Sequence, residues 1–278
     1  MSLLALVSLA DQPRAWPLHA SQTPAQMALP DKRTSHYIKH LESKRHLLPE
    51  HVNHVLADSL YANFAFITAV LDMGLHLVSK LRKDADLRYL WDGSQSGRGR
   101  PKSYGAKVDF KDWSKWEVLD VGEPGVEGYT KVVNHKGFKQ DMRTVVIFPT
   151  GKPAKRRVLM CTDTQVSGQQ VIQWYKARFQ IEFVIRDGKQ HTGLCDGQMR
   201  HDKGLDFHFN SSLSALNALT VQEQARTTDG VRSLASLKRR KYNETLINLI
   251  FSKLDIDPTC QKVRAVTEEL RNYGVIAA

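Results

Sequence analysis

The chain has 278 residues, enough for one large domain or two small ones, and its 41% hydrophobic content suffices for a real core. Forty Lys and Arg against 29 Asp and Glu leave a net charge of +11, which fits a polyanionic partner, although ribosomal and RNA-binding proteins carry the same balance. No apolar run reaches the length of a membrane span, and Cys161, Cys195 and Cys260 stand too far apart for a metal spacing, so the expectation is a cytoplasmic protein with reduced thiols.

Residues 2–9 form a continuous apolar run. Without a basic stretch ahead of it, the run reads as a strand rather than a secretion signal. Residues 14–21 predict a second strand, confined to an edge by Pro17. A helix is expected over 31–48, closed by Pro49. A short strand over 51–57 then delivers Asp58, an apolar helix spans 61–73 up to Gly74, and another strand covers 75–81. Strand, Asp, helix, strand is a parallel crossover that sets a carboxylate at the carboxyl end of a strand, where open α/β sheets place their sites. A lone Asp in that position is more often a helix cap.

Residues 91–107 are rich in Gly, Ser and cations, with Arg98, Arg100, Lys102 and Lys107 free to meet phosphate but no nucleotide-binding loop pattern. Alternation over 116–121, 128–135 and 143–149 predicts a small antiparallel β insertion. A strand over 158–162 leads to Asp163, a rival metal ligand that reads more simply as a turn or cap residue.

The stretch 171–189, VIQWYKARFQIEFVIRDGK, predicts one helix. Tyr175, Arg178, Glu182 and Lys189 follow the spacing Y-x2-R-x3-E-x6-K, which on an ideal helix falls within a stripe roughly 60° wide. The plain alternative is a solvated face with Arg178 and Glu182 pairing four apart. Phe179 and Phe183, however, share the side with the charges, whereas a simple amphipathic helix separates the two. Beyond it, His191, His201 and His208 match no metal spacing and read as surface or packing residues. Helices are expected over 205–227, 231–254 and 259–273.

That signature, with the phrase LADSLYAN…GLHLVSKLRKDADL around Asp58 and HTGLCDGQMR after the helix, resembles bacterial insertion-sequence transposases of the DDE class carrying the Y-R-E-K motif. The likeness runs from Met1 to about Asn217. It implies an α/β, ribonuclease H-like mixed sheet flanked by helices, with an antiparallel β insertion and a helical C-terminal region. The corresponding divisions are 1–90, 91–157, 158–227 and 228–278. The resemblance further implies Asp58 and Glu182 as catalytic, metal-binding carboxylates for Mg²⁺ or Mn²⁺. Tyr175, Arg178 and Lys189 become contacts to DNA, and the partners are transposon-end and target duplexes met by a homodimer. Such enzymes hydrolyse and transesterify phosphodiesters.

The family's first catalytic Asp sits on a strand ahead of the two predicted here. The expectation is therefore an N-terminally truncated chain that lacks this strand, with Asp11 the only early substitute. Loss of a central strand should impair stability or catalysis. The alternatives are a non-catalytic DNA-binding remnant and a basic RNA-binding protein.

Overall fold

Strand β1 (Ser2–Ser8) pairs antiparallel with β2 (Arg14–Ser21) in a two-stranded sheet of its own. Leu4 faces His19 and Ala5 faces Pro17, so the register shifts where proline offers no N–H. The computed structural model describes residues 1–9, 13–23, 30–95, 97, 101–226 and 234–275. Asp11, Arg98 and Arg100, singled out from the sequence, lie outside them.

The chain divides into two units, Met1–Glu182 and Phe183–Ala278. In the first, α1 (Pro30–Ser43) is followed by a 3₁₀ turn at Arg45–Leu47, then β3 (His54–Leu56), α2 (Phe64–Asp72) and β4 (His76–Leu81). Next come β5 (Leu87–Leu90), β6 (Tyr104–Lys107), β7 (Glu117–Val118), β8 (Val126–His135), β9 (Gln140–Pro149) and β10 (Arg157–Cys161). Two helices replace the single one expected over 171–189: α3 (Gly168–Ala177) and α4 (Gln180–His191), the latter running on into the second unit.

The main sheet runs β3-β4-β10-β9-β8-β5-β6, with β7 also on β8. β3 and β4 are parallel, His54 against His76 through Leu56 against Val78, as the crossover through α2 requires. β10 inserts antiparallel between β4 and β9. The strands between residues 91 and 157 therefore extend the same sheet. The fold is α/β with a mixed sheet flanked by helices, in line with the sequence reading.

Alternation along the strands divides the core between two faces. On one, Leu77, Leu81, Met142, Val146 and Met160 pack with Phe66, Ile67 and Val70 of α2 and Leu41 of α1. On the other, Val78, Val145, Leu159 and Cys161 pack with Val171 and Ile172 of α3. Each such side chain contributes about 1.5–3 kcal/mol of burial. His40 of α1 ties down the first hairpin, bonding Ser2 Oγ at 2.8 Å and His19 Nδ1 at 2.9 Å.

β3 is an edge strand. Asn53 O accepts from His76 N and Ala57 N donates to Val78 O, so the odd residues face β4. The backbone groups of His54 and Leu56 then face away, and no described residue bonds them. β1 and β2 were expected as neighbouring strands of this sheet. They pair with each other and, among the described residues, with no strand of the main sheet.

The second unit is helical: the rest of α4, α5 (Asp202–Arg226), α6 (Leu234–Leu254) and α7 (Gln261–Arg271).

Candidate functional site

Asp58 lies two residues after the end of β3, past Ala57, and is exposed. Its Oδ1 accepts from Ser59 N at 2.7 Å, capping the 3₁₀ turn Ser59–Tyr61. Its carbonyl is held by Ser79 Oγ of β4 at 3.0 Å. The carboxylate thus does cap a turn, with its second oxygen left for another partner. Beside it, burial pushes the Tyr61 hydroxyl up to about 12, with Tyr37 and Asp58 adding to the shift, so that phenol stays protonated at neutral pH.

Helix α3 begins with a capping box. Ser167 Oγ accepts from Gln170 N at 3.2 Å, and Gln170 Oε1 accepts from Ser167 N at 2.9 Å. Gly168 lets the helix start hard against the sheet, since a Cβ there would stand 2.9 Å from both Leu119 Cδ2 and Thr130 Cβ. From that anchor α3 carries Tyr175 towards Asp58. Burial raises the Tyr175 hydroxyl, Arg178 opposes the shift and the Asp58 charge adds to it.

The helix breaks at Arg178 and Phe179. Phe179 N bonds Lys176 O, Ile181 N bonds Arg178 O and Glu182 N bonds Phe179 O, all three residues apart and between 3.0 and 3.2 Å. This tight 3₁₀-like turn still keeps Tyr175, Arg178 and Glu182 together. The Arg178 guanidinium lies 5.5 Å from the Tyr175 ring centre and 3.8 Å from Glu182 Oε1. Its Nε is buried and unbonded. Glu182 is half exposed, so the pair itself adds only a few tenths of a kcal/mol. Lys189 is exposed on the part of α4 that belongs to the second unit.

Asp163 is held differently. Its Oδ1 accepts from Gln165 N at 2.9 Å in a turn, and its Oδ2 lies 3.3 Å from His54 Nε2. His54 opens β3 and Asp58 follows its close, so the two carboxylates flank opposite ends of that strand, about 13 Å apart along it. His201 and His208 are structural: His201 Nδ1 accepts from Gly204 N at 3.0 Å, and His208 lies 2.9 Å from Gly193 O.

The sequence reading missed Arg157, which opens β10 and acts electrostatically on Tyr175. The basic run GKPAKRR ahead of that strand was the available signal. Its neighbour Arg156 is instead used structurally, donating to Lys83 O at 2.8 Å and lying over the Phe110 ring. Among the described residues, no three His, Cys, Asp or Glu side chains group closely enough to hold a metal ion. Asp58 and Glu182 are oxygen donors only, the type that suits Mg²⁺ or Mn²⁺.

Tyr175, Arg178 and Glu182 thus lie together, and the Asp58 charge acts on the same tyrosine. The model of the transposase DDE domain matches residues 22–217, well over half of the chain. This chain belongs to that family. The transposase match takes in every signature position and begins after the β1–β2 hairpin. No curated protein matches the transposase. No described helix is long and apolar enough to cross a membrane.

Proposed function

We propose that this transposase cleaves DNA at insertion-sequence ends and joins the freed 3′ hydroxyl to target DNA, with Asp58 and Glu182 as its metal-binding carboxylates. The observation that carries the reading is the setting of Arg178. Its buried, unbonded Nε lies between Tyr175 and Glu182, while the Asp58 charge acts on the same tyrosine. A guanidinium that exchanges its contacts with Tyr175 and Glu182 for a phosphate forks two of its oxygens.

Bound Mg²⁺ or Mn²⁺ would polarise the phosphodiester and favour the deprotonated form of its bound water or hydroxyl. Asp58 offers its uncapped oxygen to the ion and Glu182 its half-exposed carboxylate. Tyr175, kept protonated, donates to a phosphate or stacks on a displaced base. Lys189 is a further contact to the DNA backbone. The partners are transposon-end and target duplexes, met by a homodimer. Residues 1–90 and 158–227 make the catalytic domain, 91–157 its insertion and 228–278 a helical appendage.

The test is Mg²⁺-dependent nicking of duplexes bearing the flanking inverted repeats. Glu182→Gln and Asp58→Asn should each lower it by more than the 10–100-fold that lost outer-shell partners cost. Full activity in either variant would remove the assignment.

A second reading, DNA binding without cleavage, is favoured, among the described residues, by an outer edge of β3 with no strand beside it and by the lack of a carboxylate trio. It predicts salt-sensitive binding with no nicking by wild type. Nicking gained on supplying an Asp-bearing strand for that edge would then distinguish an incomplete site from an abandoned one.

A further inference from the structure

Strand β4 reads His-Leu-Val-Ser-Lys-Leu from His76 to Leu81. Alternation puts Leu77, Ser79 and Leu81 on one face of the sheet. Both leucines belong to the apolar cluster that packs against α2. Ser79 is 0% exposed, and so is Met160, its register partner on β10. Packing alone would favour an apolar residue at this position, because a buried hydroxyl is unfavourable unless it is bonded. The Ser79 hydroxyl is bonded: its Oγ donates to the carbonyl of Asp58 at 3.0 Å.

That carbonyl stands where the strand pairing stops. The bond from Ala57 N to Val78 O, at 3.0 Å, closes the pairing of β3 with β4, and the chain then enters the 3₁₀ turn Ser59–Tyr61. The bonds the turn itself gives Asp58 are local, Ser59 N to Oδ1 at 2.7 Å and Tyr61 N to the carbonyl at 2.9 Å. Local bonds rotate with the segment and do not set its direction. The far end of the turn is held by the Tyr61 ring, which packs on Tyr37 and Phe66 with centres 5.2 and 4.9 Å apart. The near end is tied to the sheet by Ser79 Oγ. Without that tie, Asp58 could pivot about Tyr61.

We infer that Ser79 is a positioning residue for the metal-binding carboxylate. By fixing the Asp58 peptide on β4, it aims the uncapped Oδ2 at the ion. The inference rests on the role given to Asp58 under the proposed function. A ligand locked in place by its surroundings needs no further ordering when the ion arrives. Loss of an outer-shell partner lowers metal affinity by about 10–100-fold.

The experiment is a Mn²⁺ titration of the full chain, followed by the electron paramagnetic resonance signal of the free ion, with thermal unfolding measured alongside. The wild type should bind Mn²⁺, and Asp58→Asn should lose the site. Ser79→Ala should weaken binding about 10–100-fold. Threonine and valine have nearly the same shape and differ in the hydroxyl, so Ser79→Thr and Ser79→Val load the core alike. Ser79→Thr should restore binding, and Ser79→Val should bind as weakly as Ser79→Ala; this pair decides if the alanine variant does not fold. Thr130→Val is the control. It removes another buried hydroxyl-to-carbonyl bond, Thr130 Oγ1 to Thr144 O at 3.1 Å, on β8, four strands along the sheet from β3. It should lower the melting temperature and leave Mn²⁺ binding unchanged. Ser79→Ala and Ser79→Val binding as tightly as wild type, or Thr130→Val binding as weakly as they do, would overturn the inference and leave Asp58 in its role. A wild type that binds no Mn²⁺, or an Asp58→Asn protein that binds it equally well, would overturn the carboxylate assignment and the inference with it.

Discussion

Gly168→Ala tests how tightly the signature helices are seated. The added Cβ would meet Leu119 Cδ2 and Thr130 Cβ at 2.9 Å and Leu119 Cδ1 at 3.0 Å. Carbon atoms settle at about 3.5–4.0 Å, so α3 or strand β8 has to yield by roughly 0.6 Å. Leu119 and Thr130 are both 4% exposed, and Thr130 Oγ1 bonds Thr144 O, so neither swings aside. Overpacking of this kind costs about 1–3 kcal/mol. Alanine's helix preference returns only part of that at a helix start. A net loss of about 2 kcal/mol corresponds to a fall of about 4–8 °C in Tm for a unit of this size.

The assay is thermal and urea unfolding followed by circular dichroism. Gly105→Ala serves as the control, because its nearest atoms lie at 3.8 Å, and it should stay within about 0.5 kcal/mol of wild type. Leu119→Ala combined with Gly168→Ala should cost less than the two separate losses added, since one removes what the other strikes. A Gly168→Ala protein as stable as the control, or a strictly additive pair, would refute the close-approach argument.

Two further predictions concern titration and thiols. Burial, reinforced by His76, holds His54 below its usual 6.5 while Asp163 opposes the shift. The unfolded chain then binds more protons, so this contribution is present above pH 6.5 and is lost as pH falls below it. The urea midpoint should drop between pH 7 and 5.5, and His54→Gln should flatten that drop; an unchanged slope would show His54 is not responsible. Burial also lifts the Cys161 thiol to about 12, while Cys195 and Cys260 are exposed. A thiol reagent should therefore modify two cysteines in the native protein and three in urea; three in the native state would contradict the buried placement.

Much of the framework is legible in local sequence. Gly74 ends α2 with φ +71°, the two strands around that helix are parallel, and Asp58 stands where the crossover puts it. The break in the signature helix is not legible. Arg178 and Phe179 are ordinary helix residues with no Gly or Pro beside them, and periodicity registers residue types rather than three-residue hydrogen bonds. β5 and β6 escape because they lack an apolar run: β5 follows the charged stretch 82–86, and β6 lies within the Gly- and cation-rich stretch 91–107. Arg88 of β5 pairs with Asp86 at 2.8 Å, which a pattern of apolar residues does not display. The 3₁₀ ending of α1, at residues 45–47 rather than a helix continued to 48, rests on three-residue backbone bonds, Leu47 N to Lys44 O and Leu48 N to Arg45 O, which periodicity likewise does not register. Sheet membership is the least local property of all. β1 and β2 read correctly as strands, but which strand each would lie beside depends on groups far away in the chain.

The insertion of β10 between β4 and β9 has a consequence for the newborn polypeptide. β4 is complete at Leu81, yet its long-term neighbour begins only at Arg157. At synthesis rates of about 5–20 residues per second, the intervening residues 82–156 take roughly 4–15 s. Throughout that interval the apolar flank of β4 waits unpaired beside the ribosome, an edge open to foreign strands. Tyr175, Arg178 and Glu182 emerge later still. A polypeptide halted between Asp58 and Tyr175 lacks the whole cluster around Arg178, which forms only once most of the first unit has been made.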